Sequence, residues 1–155
     1  MQIDLEPVTK DNWRAVEALS VHPEQAGFVN GTAHYLLLCH YGELWHPLAV
    51  TLDGAVVGFC MWAVDDDRSR WIGGVVVDAS RQRQGIGRAL ITALRDRLAA
   101  EPGTPNVALS YVPENKAARA LYLDLGFVET GEEEDGELIA RWTPPAGGDP
   151  VVTAP

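Results

Sequence analysis

A glycine-rich loop between an apolar strand and an amphipathic helix carries the first chemical pattern in this sequence. The strand ends in Val75-Val76-Val77, and the helix follows Gly85-Ile86-Gly87. The first amides of a helix have no internal acceptor, and the helix dipole adds partial positive charge, so an anion can bind there. Arg83 and Arg88 add charge beside it. The pattern predicts a phosphate-binding loop, and the alternative is a plain helix start whose glycines allow close packing.

Three kinds of phosphate site compete for this loop. A P-loop requires Gly-Lys-Ser/Thr, whereas this chain has Gly87-Arg88-Ala89. A dinucleotide site requires its glycines directly after the first strand and an acidic residue about 20 positions later, where this chain has Asn106-Val107-Ala108. The run from Gln82 to Gly87 instead fits Gln/Arg-x-x-Gly-x-Gly/Ala, and it resembles the acetyl-CoA pyrophosphate loop of the GNAT acetyltransferase superfamily.

A second motif strengthens this resemblance. A strand at 107–112 is followed by Asn115 and by a helix that ends in Tyr122-Leu123-Asp124-Leu125-Gly126-Phe127, which is similar to the second GNAT motif. The likeness covers about residues 3–142. It implies one α/β (α+β) domain with a mixed, mostly antiparallel sheet flanked by about four helices. The central strands of this sheet are expected to splay apart around the thioester arm of the cofactor. The implied cofactor-binding residues are Val75 and Val77 through their backbones, Gln82, Arg83, Gln84, Gly85, Ile86, Gly87 and Arg88 at the pyrophosphate, and Asn115 at the arm.

Acetyl transfer needs few side chains, because an unprotonated amine attacks the thioester directly once both are oriented. By the resemblance, Tyr122 is the general acid that protonates the departing thiol. The alternative for Tyr122 is a packing role, since it shares a helix face with Ala118 and Leu125; Tyr111 is the second candidate donor. No general base is identified, because Gly73-Gly74 stands where relatives carry a glutamate on the strand. Solvent release of the proton or a water relay is the simplest account.

The acceptor side resembles the bacterial spermine/spermidine (diamine) N-acetyltransferase branch in several short runs, including Pro23–Val29 and Trp45–Ala49. A polyamine site needs spaced carboxylates and aromatic walls. We therefore expect Glu24 and Trp45 to bind substrate, with Glu43 as a further candidate; solvated surface is the alternative for each. The six acidic residues of 129–137 are predicted to form a solvated hairpin around a turn at 131–136.

Composition restricts the other classes of function. The chain has 155 residues and a formal net charge of −10. When it is divided into residues 1–80, 81–101 and 102–155, only the middle window is net basic, with five basic and two acidic residues. That distribution argues against nucleic acid as a partner and suits a small anionic ligand. The lack of a long apolar run or a signal-like start predicts a cytoplasmic protein with no membrane partner. Two cysteines and four histidines without metal-binding spacing predict no metal site.

Periodicity and turn residues predict the order of elements. We expect a domain over 1–142 and a disordered tail over 143–155, which holds four of the ten prolines. The Val75–Val77 run is expected to be buried on both faces. Strands are predicted at 3–8, 48–52, 55–64, 71–78, 107–112, 127–130 and 138–142, and helices at 10–20, 32–41, 85–100 and 115–125.

The sequence thus predicts an acetyl-CoA-dependent N-acetyltransferase that acts on a primary amine of a small molecule in a ternary complex, with a polyamine as the candidate acceptor. Two alternatives remain open at this point. One is an acyl-CoA-binding module without turnover, which the missing strand glutamate suggests. The other is acetylation of peptide or protein N-termini. The resemblance also implies a possible homodimer.

Overall fold

The computed structural model describes residues 1–145, which form one seven-stranded sheet with helices on both faces. The strands are β1 (Asp4–Pro7), β2 (His46–Leu52), β3 (Ala55–Val64), β4 (Arg70–Val77), β5 (Val107–Tyr111), β6 (Val128–Glu134) and β7 (Glu137–Trp142). Their spatial order in the sheet is β1-β2-β3-β4-β5-β7-β6. The helices are α1 (Trp13–Glu17), α2 (Thr32–Gly42), α3 (Ile86–Ala99) and α4 (Lys116–Asp124).

The parallel pair β4 and β5 diverges soon after it forms. Every other neighbouring pair in the sheet is antiparallel. Between β4 and β5 only Arg70 pairs with Val107 and Trp71 with Ala108, although both strands continue. The predicted mixed sheet with splayed central strands is therefore confirmed, and the gap between β4 and β5 opens into the protein.

Two apolar clusters cover the two faces of the sheet. On one face α3 and α4 pack against the sheet, and this cluster includes Leu90, Leu94, Tyr111, Tyr122 and Phe127. On the other face α1 and α2 pack over β2, β3 and β4, with residues such as Val16, Tyr35, Phe59 and Val76. We refer to these as the α3/α4 face and the α1/α2 face. Because successive side chains of a strand alternate between faces, each residue of β5 can be assigned to one of them. In β4 the alternation is interrupted at Gly73 and Gly74, which both lie against Met61 of the α1/α2 face.

Three predictions about local structure are wrong. Helix α1 occupies only Trp13–Glu17 of the predicted 10–20, because the side chain of Asn12 accepts from the Thr9 amide at 2.7 Å and holds the preceding residues in a turn. Strand β6 extends to Glu134, and the turn is only Asp135-Gly136, whose φ values of 51° and 82° suit a two-residue hairpin.

The third correction concerns the Val75–Val77 run. Val76 is buried, but Val75 and Val77 are only partly buried, because β5 has diverged from β4 at this point. A run of β-branched residues here marks a strand beside a gap instead of one covered on both faces. Of the predicted tail, residues 146–155 lie outside the described part of the chain.

Two findings bear on the classes of function considered above. Within residues 1–145, no helix combines the length and apolar character needed to cross a bilayer. In the same range, no group of three or more His, Cys, Asp and Glu side chains is arranged to hold a metal ion.

Candidate active site

A cavity of about 940 Å³ occupies the gap between β4 and β5 and reaches both faces of the sheet. Most of the residues predicted from the sequence meet there. Gln84 and Arg88 do not line it. The predicted residues in its wall are Glu24, Trp45, Val75, Val77, Gln82, Arg83, Gly85, Ile86, Gly87, Asn115 and Tyr122.

The glycine-rich loop forms one end of the cavity. Gly85 precedes α3 with φ 83°, a left-handed conformation that glycine adopts without steric cost, and no side chain caps the helix. The first-turn amides of α3 therefore stay available to an outside acceptor. Arg81 and Arg83 line the same end. The side chain of Arg88 instead pairs with Asp124 on α4 at 2.6 Å, so its charge is directed away from the loop.

A pair of glutamine side chains joins this loop to the turn that carries Glu24. Gln25 and Gln82 exchange two hydrogen bonds, each of 2.9 Å. Gln82 Nε2 also donates to the carbonyl of Val77 at 3.0 Å, which uses one of the two lone pairs of that oxygen. Sequence reasoning assigned Gln82 to the cofactor but missed its partner Gln25, because no local pattern relates residues 57 positions apart.

Helix α4 positions Tyr122 on the α3/α4 face. Asn115 caps this helix, because its Oδ1 accepts a hydrogen bond from the Ala118 amide at 3.3 Å. The Tyr122 ring packs 5.5 Å from the Tyr111 ring and 6.2 Å from that of Phe127. Burial raises the pKa of Tyr122 to about 12. Its hydroxyl makes no hydrogen bond to any other side chain or backbone group of residues 1–145, so it can donate into the cavity.

Tyr111, the second candidate donor, is committed to another partner. Its hydroxyl donates to Glu129 Oε1 at 2.8 Å. The same carboxylate receives two bonds from the Arg119 guanidinium, at 2.6 and 2.9 Å. Arg119, followed by the Tyr111 hydroxyl, lowers the pKa of Glu129, while burial and the Glu129 carboxylate raise the pKa of Tyr111. The geometry therefore favours Tyr122 over Tyr111 as the proton donor, and that role stays a prediction.

The other end of the cavity lies on the α1/α2 face and is aromatic. A Cβ at Gly73 would lie 3.0 Å from the Trp45 ring, so this glycine makes room for the indole. Trp71 of β4 also lines the wall. Glu24 stands exposed at the rim on the short turn Pro23–Gln25. Glu43, the further candidate, lies just after α2 and does not line the cavity.

The hairpin of β6 and β7 brings two carboxylates to the cavity that sequence reasoning assigned to solvent. Glu134 and Glu137 flank the Asp135-Gly136 turn and both line the wall. Ser110 of β5 donates its hydroxyl to Glu137 Oε1 at 2.9 Å. The Asp-Gly pair is a signal that could have located this turn, since Asp53-Gly54 joins β2 to β3 with the same positive φ angles. The prediction of a solvated hairpin is therefore wrong for Glu137, which is partly buried, whereas Glu134 is exposed at the edge of the cavity.

Neither cysteine is suited to carry an acetyl group. Cys39 and Cys60 are buried, and neither lines the cavity. Burial raises the pKa of Cys39 to about 11 and that of Cys60 to about 12. Because the thiolate is the nucleophilic form, both thiols are unreactive at neutral pH.

Comparison with known proteins gives consistent matches. A family profile described as Acetyltransferase (GNAT) family matches residues 13–127. The spermine/spermidine N(1)-acetyltransferase of Bacillus subtilis (strain 168) is 30% identical, over 90% of this chain and 97% of that protein. The [ribosomal protein bS18]-alanine N-acetyltransferase of Escherichia coli (strain K12) is 32% identical, over 70% of this chain and 72% of its own.

Solved structures show the same fold. The spermidine N-acetyltransferase from Vibrio cholerae, in complex with CoA and spermine, superposes with a TM-score of 0.70. The alignment covers 90% of this chain and 93% of that chain at 18% identity. At this level of identity the similarity concerns the architecture, including the sheet that the sequence predicted.

Proposed function

Because the chain belongs to the Acetyltransferase (GNAT) family, an acetyl-CoA-dependent class of enzymes, we propose that it acetylates a primary amine of a small polycationic molecule. A polyamine is the proposed acceptor. The family membership and the N-acetyltransferase names of the relatives establish the enzyme class. The acceptor and the roles of individual residues are the content of the proposal.

One observation carries the proposal: a single cavity has a cationic end at the glycine-rich loop and an acidic, aromatic end on the α1/α2 face. The first end suits the diphosphate of acetyl-CoA, since free helix amides lie beside Arg81 and Arg83. The second end suits an alkylammonium chain, because carboxylates attract its charges and indole rings contact its methylene groups. The carboxylates there are Glu134 and Glu137, and the indoles are those of Trp45 and Trp71. Glu24 adds a third carboxylate at the rim, on the turn that Gln25 joins to the loop.

Acetyl-CoA fits the residues at the loop. A Cβ at Gly87 would meet its nearest neighbours, side-chain atoms of Leu121 and Val77, at 3.7 and 3.9 Å, so nothing in the protein itself requires the glycine. A ligand approaching the helix start would explain it. When bound, acetyl-CoA supplies an acetyl group activated as a thioester. The loop residues that line the cavity, Gln82, Arg83 and 85–87, hold its diphosphate. Val75 and Val77 offer backbone groups to its arm, and Asn115 lies beside that arm.

Transfer is direct in this proposal. Tyr122 holds a proton at its hydroxyl for the departing sulfur, and its pKa of about 12 keeps it protonated at neutral pH. Buried, weakly acidic thiols at Cys39 and Cys60 support a route without an acetylated cysteine. The amine therefore attacks while both substrates are bound.

The test is an acceptor screen with the purified protein and acetyl-CoA, which measures thiol release and the mass of the product. Di- and triamines should release thiol with kcat/KM at least tenfold above a monoamine of similar length. The screen also includes peptides with an N-terminal alanine, since one relative is named for that acceptor. Peptide turnover without amine turnover would contradict the proposal, and so would CoA binding without thiol release from any acceptor. Isolation of an acetylated cysteine on the reaction path would contradict direct transfer.

A further inference from the structure

Strand β4 offers no side chain that could accept a proton on the acceptor side of the gap. Gly73 faces the α1/α2 face, where a Cβ would lie 3.0 Å from the Trp45 ring and 3.3 Å from the Met61 methyl. Gly74 adopts φ 59° in a bulge that lies between the pairs Phe59–Val76 and Met61–Gly73. An alkylammonium acceptor still has to lose a proton before its nitrogen can attack, because its pKa is about 10.4. A side chain that takes this proton has to lie on another element, and direct release to solvent is the alternative.

Strand β5 forms the other wall of the gap and presents different groups to its two faces. Tyr111 points to the α3/α4 face, where it packs beside Tyr122. Ser110 therefore points to the α1/α2 face. Ser110 pairs with Ile139 of β7, and Glu137 lies two residues before Ile139 on the same side of the strand. The hydrogen bond from Ser110 Oγ to Glu137 Oε1, at 2.9 Å, joins the two side chains on this face.

Glu137 differs from the other two carboxylates of the cavity in how it is held. Glu24 and Glu134 are exposed, whereas Glu137 is partly buried. Its Oε1 is held by the central strand β5, and Oε2 accepts no hydrogen bond from another described residue. A carboxylate fixed in this way presents a free oxygen to the cavity from the side opposite to Tyr122.

We infer that Glu137 is the general base of the reaction and that Ser110 positions it. This inference rests on the proposed function above. Glu137 Oε2 takes one proton from the acceptor ammonium. The nitrogen then forms a bond to the acetyl carbon as the carbon–sulfur bond breaks, and the departing sulfur takes a proton from Tyr122. The remaining extra proton on nitrogen returns to Tyr122, and Glu137 releases its proton to solvent, so the products are the amide, free CoA thiol and one proton.

The variant Glu137→Gln tests the inference, because the amide keeps an oxygen for Ser110 but cannot take up a proton. At pH 7 we expect kcat to fall about 10²- to 10⁴-fold with a polyamine acceptor. The deficit should shrink by roughly tenfold per pH unit as the pH approaches the pKa of the amine, since the acceptor then arrives unprotonated. A purely structural defect would not be repaired by raising the pH.

The matched control is Glu133→Gln, which makes the same change on the same hairpin at an exposed residue outside the cavity wall. It should retain wild-type kcat. Ser110→Ala should give a smaller loss with the same pH dependence, and it keeps the inference testable if Glu137→Gln is unstable. The other titratable groups of the cavity wall are present in the wild type and in every variant. The difference between the pH profiles of kcat for the wild type and for Glu137→Gln therefore reports on Glu137 alone. Those groups in the cavity wall are His22, Glu24, Tyr35, Arg81, Arg83, Tyr111, Tyr122 and Glu134.

Two results would overturn the inference while leaving the proposed function intact. The first is a Glu137→Gln profile that coincides with that of the wild type. The second is a rise in KM at every pH with kcat unchanged, which would mean that Glu137 only recognises charge. If the wild-type protein acetylates no amine, the proposed function fails and the inference fails with it. Melting temperature and CoA titration of each variant verify that fold and cofactor binding persist.

Discussion

The two tyrosines beside the gap show how neighbouring side chains of one type acquire different chemical roles. Tyr111 shares its proton with Glu129, and Arg119 keeps that carboxylate ionised. The Tyr122 ring lies 5.5 Å from that of Tyr111, but the Tyr122 hydroxyl has no such partner among residues 1–145. Burial raises the pKa of both, so each stays protonated at neutral pH. Of the two hydroxyl protons, only that of Tyr122 is not engaged by another described residue.

Tyr122→Phe should lower kcat about 10- to 1000-fold, because the departing sulfur loses a positioned proton donor. The ring packing against Tyr111 and Phe127 is kept, so the melting temperature should change little. Steady-state kinetics by thiol release, with thermal unfolding alongside, measures both effects. Tyr111→Phe is the matched control: it should lose roughly 1 kcal/mol of stability with its hydrogen bond to Glu129 but keep kcat within a few-fold. Wild-type turnover by Tyr122→Phe would exclude it as the acid.

Residues that belong to a local motif were accessible to sequence reasoning, and residues defined by a distant partner were not. Asn115 and Tyr122 stand at fixed positions in a strand–helix motif, so their placement at the gap could be predicted. Glu137 contacts Ser110 across 27 positions and Gln25 contacts Gln82 across 57. Such pairs follow from strand register and loop packing, which a single sequence does not specify.

At the scale of elements, the start of α3 combines left-handed backbone conformations in the preceding loop with first-turn amides that no side chain caps. Arg83 and Gly85 both have positive φ, at 64° and 83°, and turn the chain so that the helix begins at the edge of the gap. Gly87 lies in the first turn, where a side chain would have only ordinary contacts within the protein. The glycine therefore makes sense as space kept for a ligand.

Gly87→Ala should separate stability from cofactor binding. Alanine favours the helix over glycine by up to about 1 kcal/mol, so the melting temperature should stay equal or rise. The added methyl should still weaken CoA binding at least tenfold, about 1.4 kcal/mol, by blocking approach to the backbone. Calorimetric titration with CoA measures the Kd. Gly42→Ala, a helical glycine at the end of α2 and outside the cavity wall, should leave the Kd unchanged. Unaltered CoA affinity in Gly87→Ala would contradict the diphosphate assignment.

Element order could be predicted because apolar periodicity and turn residues are local. All seven strands and four helices exist where the sequence indicates them, within a few residues at most ends. The errors have tertiary causes. Burial at Val75 and Val77 depends on whether β5 stays beside β4, and the end of β6 depends on which turn residues close the hairpin. Neither is encoded in the hydrophobicity of the segment itself.

At the scale of the whole molecule, charge is distributed unevenly around the cavity. The chain carries a net charge of −10, yet residues 81–101, which include the helix start at the cofactor end, are net basic. An anionic cofactor and a cationic acceptor would thus approach ends of opposite character. Long-range attraction of this kind speeds association, and dissolved salt screens it over a Debye length of about 10 Å at 0.1 M.

This layout predicts that salt selectively slows reaction with multiply charged acceptors. At saturating acetyl-CoA, kcat/KM for a triamine should fall about tenfold between low and high salt, because both steering and carboxylate contacts weaken as screening increases. A monoamine of similar length has fewer charges to screen, so its kcat/KM should fall by much less. Initial-rate measurements across a sodium chloride series compare the two slopes directly. If kcat/KM falls equally steeply with salt for both amines, Glu24, Glu134 and the acidic surface contribute no attraction to the acceptor. A preference for polyamines would then have to arise from the shape and the aromatic walls of the cavity.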